Sequence, residues 1–316
     1  MLSSVAPAPT AADPANASTS LPAAPSPLAR AAIAARPAEV WQTIRYRGHN
    51  WLGRFSAELE LHAPGAPATA PSTSAPGPHK AAQQAGWVAE LRAQLDSFLL
   101  ADKQTRIRAT FDPVTGAVSR FTKLSLGPRP DLKTYEFAEG GVERLRVQPD
   151  VGQASLAPEQ WSKERQSFHP YDAAAHGCRV VSDPGAMAYW LTWGPAAGRE
   201  LVNDPGACFF WGKTLYRVDF RHLGAGSTRV DYRIVRDGRS AHRSGRVRVE
   251  RYEAIARPVA GEMEETPTRS EIVLEAESRL PWRFVTHEGP MQIDVELREV
   301  VLGDPLLLAG RDGRER

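Results

Sequence analysis

The strongest pattern along the chain is alternation. Over residues 228–235, apolar Val230, Tyr232 and Ile234 alternate with charged Arg229, Asp231 and Arg233. Successive side chains of a strand point to opposite faces, so the run predicts a strand with one apolar and one charged face. The same period recurs over 215–220, 246–249 and 270–277. It is clearest near the end of the chain, where Met291, Ile293, Val295 and Leu297 alternate with Gln292, Asp294, Glu296 and Arg298. Asp237-Gly238 links two of these runs, and that dipeptide tolerates the positive φ of a two-residue hairpin turn. Upstream, 43–46 and 55–61 predict an opening strand pair around Gly53, and 106–111 turns through 112–116 into a further strand over 117–124.

Helical signals are fewer. Asp183-Pro184 reads as an N-cap followed by proline at the first helical position, and Gly194-Pro195 stops the segment. Its body, 185–193, is rich in large apolar residues and must bury most of its circumference. A shorter helix is predicted over 158–166. Residues 87–100 suit a helix through Leu91, Leu95, Phe98 and Leu99, while the strands on either side favour a strand. The expected fold is therefore mainly β: a curved antiparallel sheet, with one or two helices packed on its apolar, concave side. Such a sheet must cover its apolar face, and it can do so by curling into a barrel or an incomplete barrel.

Composition then sets the boundaries. Residues 1–38 hold 14 Ala and 7 Pro with almost nothing large and apolar, too little to offset the entropy of ordering, and are expected to be a disordered tether. A second Ala/Pro patch, 63–80, interrupts the strand-rich region as a disordered loop insertion, leaving 39–303 as a single β-rich domain and 304–316 as a C-terminal tail. No run of 18 apolar residues is present, so no transmembrane helix is expected. The formal net charge of +2 excludes a whole-molecule field that recruits nucleic acid. Residues 1–30 lack a secretory signal. Yet a Pro/Ala/Ser/Thr tether before a fold commonly follows a removed export segment, so the expected location is periplasmic, with cytoplasmic as the alternative.

Candidate chemistry is sparse. The eight histidines are scattered, without the spacing of a zinc helix. No nucleophile elbow, P-loop or dinucleotide fingerprint follows any strand. No catalytic residue, metal or cofactor is therefore expected. The two cysteines, Cys178 and Cys208, would close a loop of about 30 residues if bonded, worth on the order of 3–4 kcal/mol in the chain-entropy model. Otherwise they are two small buried hydrophobes. Residues 217–251 hold ten Arg and four acids, and 262–299 hold ten acids and four Arg. As neighbouring strands these runs would pair charges across the sheet. Tyr189, Trp190, Trp193 and Phe209–Trp211 form an aromatic concentration that either lines an apolar pocket or fills the core where helix meets sheet.

The order of these features resembles a known family. A strand carrying Ile44-Arg45-Tyr46-Arg47-Gly48 precedes Leu52-Gly53-Arg54-Phe55. Then come the Asp183-Pro184 helix start, Gly212-Lys213-Thr214-Leu215-Tyr216, and Leu280-Pro281-Trp282 before the closing strands. Across about 40–301 this resembles the DUF3108 family of Gram-negative bacteria, whose fold looks like the half-barrel of the LolA-type periplasmic lipoprotein carriers. The resemblance implies an envelope protein with such a half-barrel; the function expected from it and from the aromatic concentration is non-enzymatic binding of an apolar or lipid-like ligand, with Tyr189, Trp190, Trp193, Phe210 and Trp282 as the expected cavity lining. The alternatives are a structural or assembly factor docking another envelope protein, and an enzyme of unknown class.

Overall fold

Every alternating run named above becomes a strand. The computed structural model describes residues 40–50, 53–63, 86–97, 102–113, 115–138, 140–183, 186, 192, 206–261, 267–288 and 291–303. All of them fall within the compact unit Arg36–Arg316. The first eight strands are β1 (Val40–Asn50), β2 (Gly53–His62), β3 (Trp87–Ser97), β4 (Lys103–Phe111), β5 (Val118–Leu126), β6 (Asp131–Ala138), β7 (Gly141–Gln148) and β8 (Lys163–Pro170). There follow β9 (Val180–Ser182), β10 (Ala207–Trp211), β11 (Thr214–Arg236), β12 (Arg239–Gly261), β13 (Thr268–Glu275), β14 (Pro281–Glu288) and β15 (Met291–Gly303). They form one sheet in the order 8-7-6-5-4-3-2-1-15-14-13-12-11-10-9. Neighbours are antiparallel except for β9–β10.

β15 joins the two arms of this sheet. It pairs with β1 on one side; on the other it pairs with β14 through its first half and with β11, in parallel, over Glu299–Leu302. The second contact needs the long β11–β12 hairpin to bend. A bulge between His222 and Gly224 supplies the bend, and Gly224 takes φ +119°, a region that side-chain-bearing residues rarely enter. Beyond the bend, Val230 and Tyr232 return to the core, and the pairings β15–β14–β13–β12–β11–β15 close a circuit. Asp237 and Gly238 both have positive φ at the hairpin tip, as the dipeptide predicted.

The main core is built from the apolar face of β1–β7 and from the later strands, which bury residues on both faces. Trp41, Ile44 and Tyr46 of β1, with Leu59, Ile107, Phe111, Phe121 and Tyr135 behind them, pack with Leu215, Val230, Trp282 and Leu297 of the later strands. A smaller cluster joins Val218 and Phe220 to Tyr252, Ile272 and Leu274.

Helix is where the structure departs from expectation. Pro158–Gln160 makes a single 3-10 turn, and the predicted helix over 158–166 is replaced by β8 from Lys163 onward. Ala157 offers no side-chain acceptor to cap a helix there, whereas β7 offers a whole ladder of backbone partners. Residues 87–97 resolve as strand because β2 and β4 flank them on both sides. Apart from Ala186 and Thr192, no described residue is α-helical. Of the helix expected over 185–193 only two residues are described, Ala186 and Thr192; both are helical and buried, and Trp41 Nε1 donates to Thr192 Oγ1 at 2.9 Å.

Candidate functional site

Tyr189, Trp190 and Trp193 lie outside the described residues. Phe210 and Trp282 are 3% and 4% exposed and belong to the main core cluster. Phe210 sits against Tyr135, His169 and Tyr171, with ring centroids 5.7–6.1 Å apart, and Trp282 against Tyr232 at 5.9 Å. Cys178 and Cys208 form a disulfide that ties the segment before β9 to β10. Among the described residues no group of three or more His, Cys, Asp or Glu is placed to hold a metal, and no helix is long and apolar enough to cross a membrane.

The charged face of β1–β4 is organised by register. Arg233, Glu299, Arg45, Glu58, Arg92 and Arg106 lie directly opposite one another across β11, β15, β1, β2, β3 and β4. Glu299, almost wholly buried, is gripped by Arg45 and Arg233; Arg45 also binds Glu58. Arg92 Nη1 reaches Glu58 at 3.1 Å, and Glu90 accepts from both Arg92 and Arg106 at 2.8 Å. Burial works to raise the Glu90 carboxyl, but the Arg106 and Arg92 guanidiniums overcome it and hold the group below the usual carboxylate range. The Glu58 contact, set against some desolvation, raises the Arg45 guanidinium. A groove of about 490 Å³ runs over this ladder, from Arg47 and Ser56 across Gln94 and Gln104 to Leu124 and Leu126. Arg45, Arg92 and Arg106 are already engaged by carboxylates there, which leaves Arg47 as the lining cation without an ion pair among the described residues.

The opposite face of the same arm behaves differently. One row of directly opposed residues crosses eight strands: Ile44, Leu59, Leu91, Ile107, Lys123, Lys133, Arg146, Arg165. The first four are apolar and the last four are cations. Within β5–β8 this face also carries Arg144 and Lys163, so six cations share it with a single acid, Asp131. Asp131 binds Lys133 Nζ at 2.9 Å and Arg146 Nη2 at 3.0 Å. The turn between β10 and β11 leans over the row. Lys123 Nζ stands 4.1 Å from the Trp211 ring centroid, a cation–π contact, and Arg144 Nη1 donates to the Gly212 carbonyl at 2.9 Å. Arg144 is buried, and its Nε has no hydrogen-bond acceptor. Burial pushes the adjacent Tyr135 phenol up to about 12, against the opposing pull of Arg144.

Sequence reasoning missed this row because its members stand 10, 13 and 19 positions apart and only the register aligns them. A local signal did exist. Lys123 is in phase with Phe121, Lys133 with Tyr135 and Phe137, and Arg144 and Arg146 with Val142, so each cation occupies the apolar phase of its strand. No protein-family model matches the chain, and no curated protein is similar to it.

Proposed function

We propose that the chain is a non-enzymatic binding protein of the cell envelope that takes an apolar or lipid-like ligand with an anionic head. Kinship with the DUF3108 proteins and a LolA-like half-barrel curvature of the sheet belong to this proposal. The observation that carries it is the eight-strand row, in which four apolar positions pass directly into four cationic ones on one face. An amphiphile has the same division. Because Ile44, Leu59 and Ile107 are packed in the core, an acyl chain must part that packing to be buried there, at a gain of about 0.8 kcal/mol per CH₂, while the cations meet the head. The Cys178–Cys208 bond supports an oxidising compartment such as the periplasm.

A second reading, an assembly factor that docks another envelope protein, draws support from the other face of β5–β8. There Leu126, Leu145 and Phe168 are exposed, Phe168 by 55%. Native mass spectrometry of the protein purified from cells, with uptake of a fluorescent fatty acid, tests the first reading. It expects a lipid-sized adduct and saturable uptake. A ligand-free spectrum without uptake removes it, and a co-purifying protein in that spectrum favours the second.

A further inference from the structure

We infer that the groove over β1–β5 binds the carboxylate end of an extended, largely uncharged peptide, with Arg47 holding the carboxylate. This goes beyond the reading above, which concerns the opposite face of the same strands, and does not depend on it.

One row of directly opposed residues crosses the floor of the groove: Arg47, Ser56, Gln94, Gln104 and Leu126, on β1, β2, β3, β4 and β5. In the neighbouring row on the same face the charges are already balanced, because Arg45, Arg92 and Arg106 are met by Glu58, Glu90 and Glu299. Arg47 is the exception. It is exposed and has no ion pair among the described residues; Glu296, opposite it on β15, is bound by Arg298 Nη2 at 3.1 Å. The groove therefore offers one cation, at one end, which suits a ligand with a single anionic group there. The guanidinium fork matches the two oxygens of a carboxylate.

The rest of the row sets the body of the ligand. Ser56 and Gln104 are exposed, and their side chains make no hydrogen bond among the described residues. Gln94 Nε2 donates to Asp96 Oδ1 at 2.5 Å, which leaves the Gln94 carbonyl oxygen to accept. A side-chain amide offers donor and acceptor together, as a peptide group does, so these glutamines can pair with a backbone. A hydrocarbon chain laid over them would leave those groups unpaired. Sugar rings pack on aromatic faces, but the aromatic residue along the groove, Tyr46, is buried with its Oη donating to the Pro281 carbonyl. The far end turns apolar at Leu124 and the exposed Leu126, a seat for an apolar side chain. Length agrees as well. From β1 to β5 there are four strand spacings of ~4.8 Å, about 19 Å in all, and an extended peptide covers that with about six residues.

Affinity selection of the full chain against a random hexapeptide pool, read by mass spectrometry, tests the assignment. The pool is used once with free carboxylates and once amidated. Free-carboxylate peptides should be retained at least about fivefold more than amidated ones. Arg47→Gln should erase that preference, whereas Gln104→Ala should reduce retention of both pools alike. Both residues are exposed, so neither substitution threatens the fold. Retention of neither pool overturns the proposal. Equal retention of the two, a preference that survives Arg47→Gln, or retention indifferent to both substitutions does the same. Maltohexaose, which carries hydroxyls along its length and no carboxylate, should not bind; its binding in place of the peptides overturns the proposal in favour of a glycan.

Discussion

Glu275 shows how this fold treats charge at the scale of one side chain. Its carboxylate is buried, and it accepts from Tyr232 Oη at 3.1 Å, from Arg243 and from Ser278 Oγ. A carboxylate so enclosed is tolerated because its lone pairs are met by donors. Glu90 is held in the same way by Arg92 and Arg106, and this gives stability a dependence on pH. The folded-state pKa of Glu90 lies below its ordinary value of 4.5, so its contribution is complete above that value and is lost as pH falls through the folded one. Thermal unfolding should therefore occur at lower temperature as pH drops from 5 to 3. In Glu90→Gln that decline should be shallower, with a lower melting temperature already at neutral pH. Expected charge pairing between the Arg-rich and acid-rich runs is present as Arg251–Glu271, Arg243–Glu275 and Arg248–Glu277, because β12 and β13 are neighbours. The cation row was not legible, because partners that far apart in sequence meet only through register.

Among elements, the bent β11–β12 hairpin is the most instructive. Its strands were legible from alternation and its tip from Asp237-Gly238, but its bend was not. Gly224-Ala225-Gly226 reads as a strand end, whereas the strand continues through it to Arg236. The two glycines are not equivalent. Gly224 has φ +119°, while Gly226 has no such strain and no atom within 4 Å of an added Cβ. Gly224→Ala should cost about 1–3 kcal/mol in urea unfolding, and Gly226→Ala should be neutral or stabilising by up to about 1 kcal/mol. Equal losses at both positions would mean that the bend does not reside at Gly224. The 158–166 error has the opposite origin: proline and a few good helix formers signal a helix locally, but an unpaired strand beside them decides the outcome.

For the whole molecule, alternation was enough to read a mainly β protein with an antiparallel sheet, since each strand carries its own period. It could not read the strand order, which depends on pairings between distant segments. The disulfide is one such long link. Reducing it frees a loop with a sequence separation of 30, and the unfolded chain then gains entropy worth about 3–4 kcal/mol. Dithiothreitol, or Cys178→Ala with Cys208→Ala, should lower the urea midpoint accordingly; an unchanged midpoint would show that the bond adds nothing to stability. β15 is the other link. It is the last described strand, and in the sheet it alone joins β1–β8 to β9–β14. A ribosome must therefore deliver everything from β1 to β15 before the two arms can be stitched together. Until then the nascent chain leaves the bonding edge of its first strand bare, which makes it a client for chaperones and for any machinery that handles unfolded substrates.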